Sequence, residues 1–278
     1  MSYETIRVHA STGLIGAEIS GIDLSKPLGN QQFQEVHDAL MAHQVLFFRD
    51  QKLTLDQHKA FGRLFGELSV HPNTKGPDGH PEILPIHADA NSKRISGERW
   101  HSDVSCDAEP PMGSILNLKI VPPIGGDTVF ASMYAAYDAL SEPMKHFLAG
   151  LTAIHDGAPG YSRTNKILGD ATPKTFPRNE HPVIRTHPVT GKQTIYVNPV
   201  FTTEIAGVPE AESKAILNFL YEHCARPHWQ VRFRWEGDSI AFWDNRCVQH
   251  IAMWDYFPET RSGYRVTVKG DRPFHRAG

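Results

Sequence analysis

Apolar residues recur at helical spacing in three stretches of the chain. In "NQQFQEVHDALMAH" (30–43) Phe33, Val36, Ala39 and Leu40 share one face, with Asn30 placed to cap it. "TLDQHKAFGRLFG" (54–66) reads as a second amphipathic helix capped by Thr54, and "PEAESKAILNFLYEHC" (209–224) as a third. Residues 133–150 predict two shorter helices broken near Ser141–Pro143. The rest is strand and turn. The run starting at Gln44 reads as a buried strand over 44–49. Further strands are predicted at 113–121, 127–132, 181–188, 193–199, 229–235, 239–245 and 263–270, several of them separated by glycine-containing turns at 122–126, 189–192 and 236–238. Many strands with helices mostly towards the N-terminus predict a mainly β fold with α: a β-sandwich or jelly roll (double-stranded β-helix) core with helices packed outside. The polar, Gly-, Pro- and Thr-rich segment 156–180 is read as either a mobile active-site lid or a plain surface insertion.

The 278 residues leave ample room for a buried core and are read as one domain, 1–278. The net charge of −3, without a basic excess or a run of like charges, argues against a nucleic-acid partner. No apolar stretch approaches a membrane span, and the N-terminus lacks the basic start and apolar core of a signal peptide, so a cytoplasmic setting is expected. Cys106, Cys224 and Cys247 form no C-x-x-C pair, and their odd number is no disulfide framework; reduced thiols are expected. The 16 histidines change the picture more. They make a metal site thinkable, and they also raise the rate of accidental histidine motifs.

His-x-Asp occurs twice. On a strand, residues i and i+2 share a face, so the pair presents an imidazole beside a carboxylate. Two imidazoles and a carboxylate on one face of an iron, with other positions open, is the arrangement of non-heme Fe(II) oxygenases. His87–Asp89 runs into the polar "ANSKRISGE" and reads as a solvated loop pair. His101–Asp103 sits between Trp100 and Val104, just ahead of the strand 113–121, and is preferred. A third ligand is sought at His250, where the strand of "SIAFWDNRCVQH" runs out towards loop. Arg261 and Arg265, four apart in "RSGYRVTV", share a strand face with Gly263 between them. Inward-facing, they would need anionic partners such as a cosubstrate and a substrate; outward-facing, they would be surface charges.

These residues together resemble the taurine dioxygenase and aryloxyacid dioxygenase family of Fe(II)/α-ketoglutarate-dependent oxygenases. The likeness runs from "GAEISGIDLSKPL" to "GDRPFHRAG", with "WHSDVS", "PPIGGDTVFASMYAAYDALS", "HPVIRTHPVTGKQTIYVN", "FTTEI" and "WDNRCVQH" as its best markers. The resemblance implies His101, Asp103 and His250 as iron ligands, and Thr128 and Arg261 as contacts to the α-ketoglutarate carboxylate. It implies Arg265 and His71 as contacts to the substrate anion, with Val104 and Phe201 lining the pocket. It implies dioxygen consumption, release of succinate and CO2, hydroxylation of a small anionic substrate, and a homodimer or homotetramer. Where taurine dioxygenase has a tyrosine and an asparagine near that pocket, this chain has Thr74 and Gly97, which points away from taurine towards a larger organic anion. Asp103 favours hydroxylation, because related halogenases lack that carboxylate. Two rival readings are a zinc hydrolase on the same triad and a non-catalytic anion-binding protein. The first leaves the paired arginines unexplained, and the second predicts no oxygen consumption.

Overall fold

The computed structural model describes residues 3–71, 74–168 and 175–276. In chain order the strands are β1 (Arg7–Ala10), β2 (Ala17–Ser20), β3 (Val45–Phe48), β4 (Leu84–Ala88), β5 (Gly113–Ile120), β6 (Thr128–Ser132), β7 (Thr152–Asp156), β8 (Arg178–Pro182), β9 (Ile184–Thr186), β10 (Gln193–Ile195), β11 (Thr202–Ile205), β12 (Gln230–Phe233), β13 (Ser239–Asp244), β14 (Val248–Ala252) and β15 (Arg261–Val268). The helices are α1 (Asn30–His43), α2 (Leu55–Arg63), α3 (Met133–Asp138), α4 (Glu142–Leu148), α5 (Ala158–Leu168) and α6 (Glu210–Cys224).

A seven-stranded sheet has the order β1-β2-β3-β13-β5-β15-β4, and a three-stranded sheet the order β12-β6-β14. Strand alternation explains how the large sheet serves two cores. Leu46 and Phe48 of β3, Ile240 and Phe242 of β13, and Val266 and Val268 of β15 pack with Val36, Ala39 and Leu40 of α1 and Phe61 of α2. The alternate residues Val45, Phe47, Ala241 and Trp243 pack with Phe130 of β6, Val231 and Phe233 of β12 and Val248 of β14. The two sheets therefore face each other across an apolar layer, where Phe47 and Phe233 stack with ring centroids 4.1 Å apart. A third core joins α3, α4 and α6 to β7, β9, β10 and β11.

The amphipathic helices form where the 3.6-residue period places them, with shifted ends. Thr54 makes a full capping box with Gln57, the hydroxyl accepting from the Gln57 N–H while Gln57 accepts from the Thr54 N–H. In α1 the cap position belongs to Gly29, whose backbone is extended; Asn30 is already helical and does not cap. Gln44, read as the start of a strand, is instead the left-handed C-cap of α1. Between 156 and 180 the chain forms α5 and enters β8, rather than staying a loop; residues 169–174 of the anticipated lid lie outside the described residues.

Candidate active site

His250 lies in the middle of β14, on the face that also carries Val248, and so points into the space between the sheets. A one-residue bridge holds His101 against it: His101 N–H donates to the His250 carbonyl at 3.1 Å, and His250 N–H donates to the His101 carbonyl at 2.8 Å. Past this bridge there is no strand. The expected strand geometry of His101-x-Asp103 is replaced by a turn in which Val104 has a φ of +46°. The turn does what alternation was expected to do. Asp103 Oδ1 comes within 3.6 Å of His101 Nε2 and 3.9 Å of His250 Nε2. The three donor atoms lie within 4.8 Å of one another, a spacing that fits a shared metal ion.

Neighbouring groups aim these atoms. The Nδ1 of His101 hydrogen-bonds the Arg99 carbonyl at 2.8 Å, which fixes the proton there and leaves Nε2 as the lone-pair donor. The ring of His250 packs on Phe130 and Trp243, and its Nδ1 has no hydrogen-bond partner among the described residues. Ser114 Oγ donates to Asp103 Oδ2 at 2.7 Å, so Oδ1 is the oxygen turned to the imidazoles. Burial alone would raise the Asp103 pKa, but the Arg265 guanidinium and the two imidazoles outweigh it and hold the carboxyl well below its usual range. His250 is pushed far down by burial and by its neighbours His101 and Arg265, so it is a neutral donor.

Both arginines of β15 face the inter-sheet space, opposite Val266 and Val268. Arg261 is buried. Its Nε donates to the Gly126 carbonyl at 2.9 Å and its Nη2 to Thr128 Oγ1 at 3.3 Å. Among the described residues no carboxylate lies within ion-pairing distance of it, and burial lowers its pKa to about 10. A buried guanidinium without a counter-ion is costly, and the site is built to receive an anion. Thr128 Oγ1 also accepts from Trp235 Nε1 at 3.0 Å, so its own proton is available to the same anion. Arg265 reaches the other way: Nη1 donates to Asp103 Oδ1 at 2.8 Å, while its buried Nε has no partner among the described residues.

The remaining pocket candidates spread out. His71 is half-buried and near enough to Arg265 and Asp103 for both charges to act on it; burial first, then Arg265, lowers its pKa. Phe201 is buried, with its ring 6.0 Å from that of Tyr161 in α5, and Tyr161 stacks on Phe176 at 5.4 Å. Thr74 is exposed. Gly97, expected to leave room for substrate, lies against the ring of His101. Its φ is +85°, and a Cβ there would lie 3.2 Å from His101 Cε1.

His87, read as a loop residue, is a strand residue in β4 paired with Ser262. The pair is solvated as expected, though on a strand: the His87 side chain is 52% exposed, with Asp89 at 3.5 Å and no third donor grouped with the pair among the described residues. His187, Asp244 and Cys247 also converge, but their valences are filled. His187 Nδ1 accepts from the Val189 and Thr190 N–H groups, its Nε2 donates to Asp244, and Arg246 holds both oxygens of Asp244. All three cysteines are free and buried. The contacts invisible to sequence spacing were Ser114, Asn245 and Tyr161. Asn245 alone carried a signal, its place inside "WDNRCVQH".

The fold and site define a β-rich protein with flanking helices and a two-histidine, one-carboxylate centre beside a buried, uncompensated arginine. A family model described as "Taurine catabolism dioxygenase TauD, TfdA family" matches residues 7–267, and the chain belongs to that family. An alkylsulfatase of Acinetobacter baylyi is 34% identical over 96% of this chain and 86% of its own length. An α-ketoglutarate-dependent sulfate ester dioxygenase of Pseudomonas putida is 35% identical over 96% of this chain and 90% of its own. The crystal structure of a taurine dioxygenase from Burkholderia xenovorans superposes with a TM-score of 0.86 at 38% identity, covering 98% of this chain and 92% of that one.

Proposed function

We propose that this chain is an Fe(II)- and α-ketoglutarate-dependent dioxygenase that hydroxylates a small organic anion and releases succinate and CO2. The substrate is a sulfonate, a sulfate ester or an aryloxy or carboxylic acid, and attack on a carbon bearing the heteroatom leads to C–S or C–O cleavage. The observation that carries this reading is Arg261: a buried cation with no carboxylate partner among the described residues, beside the His101–Asp103–His250 centre. A zinc hydrolase has no use for it. We read the two facing sheets as a double-stranded β-helix forming a single catalytic domain. Buried free thiols fit a reducing, cytoplasmic setting, and homodimeric or homotetrameric assembly follows from the family likeness.

His101 Nε2, His250 Nε2 and Asp103 Oδ1 would hold the iron, which when bound supplies the activation of dioxygen. Arg261 and the Thr128 hydroxyl take the far carboxylate of α-ketoglutarate, and burial strengthens that pairing. The free Nε–H of Arg265, with His71, takes the substrate anion, while Phe201 and Val104 exclude water from its body.

The test is succinate release and oxygen consumption with Fe(II), α-ketoglutarate and a panel of sulfonates, sulfate esters and aryloxy acids. Succinate that rises with one anion class and vanishes when zinc replaces iron is the expected result. Organic anions bound without oxygen uptake would overturn the proposal.

A further inference from the structure

Val104 follows the ligand residue Asp103 in the left-handed region, with a φ of +46°. A β-branched side chain there crowds its own backbone, and such a conformation persists only where its surroundings over-determine it. The surroundings converge on one residue. Asn245 Oδ1 accepts from the Asp103 N–H at 2.6 Å. Its Nδ2 donates to the Asp103 carbonyl at 2.9 Å and to the Pro111 carbonyl at 3.1 Å. Its own N–H donates to the Met112 carbonyl at 2.8 Å. A single amide thus pairs with both backbone polar groups of Asp103, as a neighbouring strand would, at a place where no strand runs.

Asn245 is fully buried, and the turn that carries it is pinned. Arg246 Nε and Nη2 bond Asp244 Oδ1 and Oδ2 at 2.9 and 2.7 Å, and His187 Nε2 bonds Oδ2 at 3.0 Å. The histidine is held from its other side by two backbone N–H groups. The charged pair is therefore satisfied, and it fixes the residue that reaches across to the metal site.

We propose that Asn245 is a positioning residue for the metal ligand Asp103: it holds the 103–104 turn in its strained form and so keeps Oδ1 aimed at His101 and His250. The inference rests on the reading of that triad as a metal site. No other side chain meets the requirement. Aspartate would set an oxygen against the carbonyls of Asp103 and Pro111, glutamine is one methylene too long, and alanine offers neither group.

The experiment is anaerobic Fe(II) titration of the full chain without substrate, with thermal unfolding to confirm the fold of each variant. Asn245→Ala is expected to weaken Fe(II) binding by about 10–100-fold, the usual range for loss of a group that orients a ligand. Val104→Gly in the same chain is expected to regain at least half of that loss on a logarithmic scale, because glycine adopts the left-handed conformation without strain. A purely structural role for Asn245 would not be rescued at position 104. Wild-type affinity in folded Asn245→Ala, or no gain on adding Val104→Gly, would overturn the proposal. If Asn245→Ala does not fold, Asn245→Asp, which keeps the acceptor and loses the donor, carries the same test, and unchanged affinity there overturns it. If the wild-type chain binds no Fe(II), the metal-site reading itself fails; if it binds and the variants bind equally, only this inference fails.

Discussion

Arg265 Nη1 lies 2.8 Å from Asp103 Oδ1, the same oxygen that faces the Nε2 atoms of both His101 and His250. One carboxylate oxygen therefore links Arg265 to the converging donors of the candidate metal site. Arg261, on the same strand face, makes no such link and bonds instead to Gly126 and Thr128. The two guanidinium groups have separate partners.

Their separation can be measured. Arg261→Gln is expected to raise the KM for α-ketoglutarate by ~10–100-fold, the worth of one charge-assisted pair at ~1.5–3 kcal/mol, with a smaller effect on the substrate. Arg265→Ala is expected to weaken the substrate more than α-ketoglutarate. Equal losses of both ligands in both variants, read from succinate formation, would refute the division.

The two His-x-Asp pairs differ in consequence. His101→Ala or Asp103→Ala should abolish succinate formation, because each removes a donor from the converging set. His87→Ala should retain most of it, since that imidazole is exposed and bonds Ser262. A dead His87→Ala enzyme with an active His101→Ala enzyme would reverse the ligand assignment.

Gly97 leaves the ring of His101 the space that a side chain at this position would take. Alanine at this φ of +85° adds backbone strain of ~1 kcal/mol and puts a methyl 3.2 Å from His101 Cε1. Gly97→Ala should lower the unfolding midpoint modestly and weaken Fe(II) binding, and Gly97→Val should do more of both. Calorimetry with and without metal separates the two effects; full metal affinity in Gly97→Val would show that the ring of His101 yields freely.

His58 gives the fold a pH dependence away from the site. It is buried in α2, with Nε2 3.1 Å from the Ile115 carbonyl, and burial lowers its pKa from 6.5 to about 4. The folded state thus refuses a proton that the unfolded state accepts. Its contribution is fully present above pH 6.5 and is lost as the pH falls towards 4, with a slope of up to ~1.4 kcal/mol per pH unit. Urea unfolding between pH 7 and 4.5 should show a steeper fall for the wild-type chain than for His58→Asn; parallel curves would assign the acid sensitivity elsewhere.

Periodicity found α1, α2 and α6 because one face of each meets a sheet, and the Thr54 box wrote its own start into the sequence. The paired arginines were legible for the same reason, since a strand repeats every second residue. Strand β4 was not. "LPIHA" is half-exposed and pairs only with β15 at the sheet edge, so burial imposes no alternation on it. The ligand turn was misread as a strand because what shapes it, Asn245 and Ser114, comes from distant parts of the chain. Spacing records which residues share an element. It does not record a side chain that substitutes for one.

The bridge between His101 and His250 also sets an order of events. The neighbouring Ser102–Val248 bond spans 146 residues, and both arginines follow β14. A nascent chain that has emerged only as far as β13 carries two of the three converging donors and neither arginine, while the residues of α1, α2 and β3 are already present. A metal ion shared by all three donors would meet its full set only once β14 has been made.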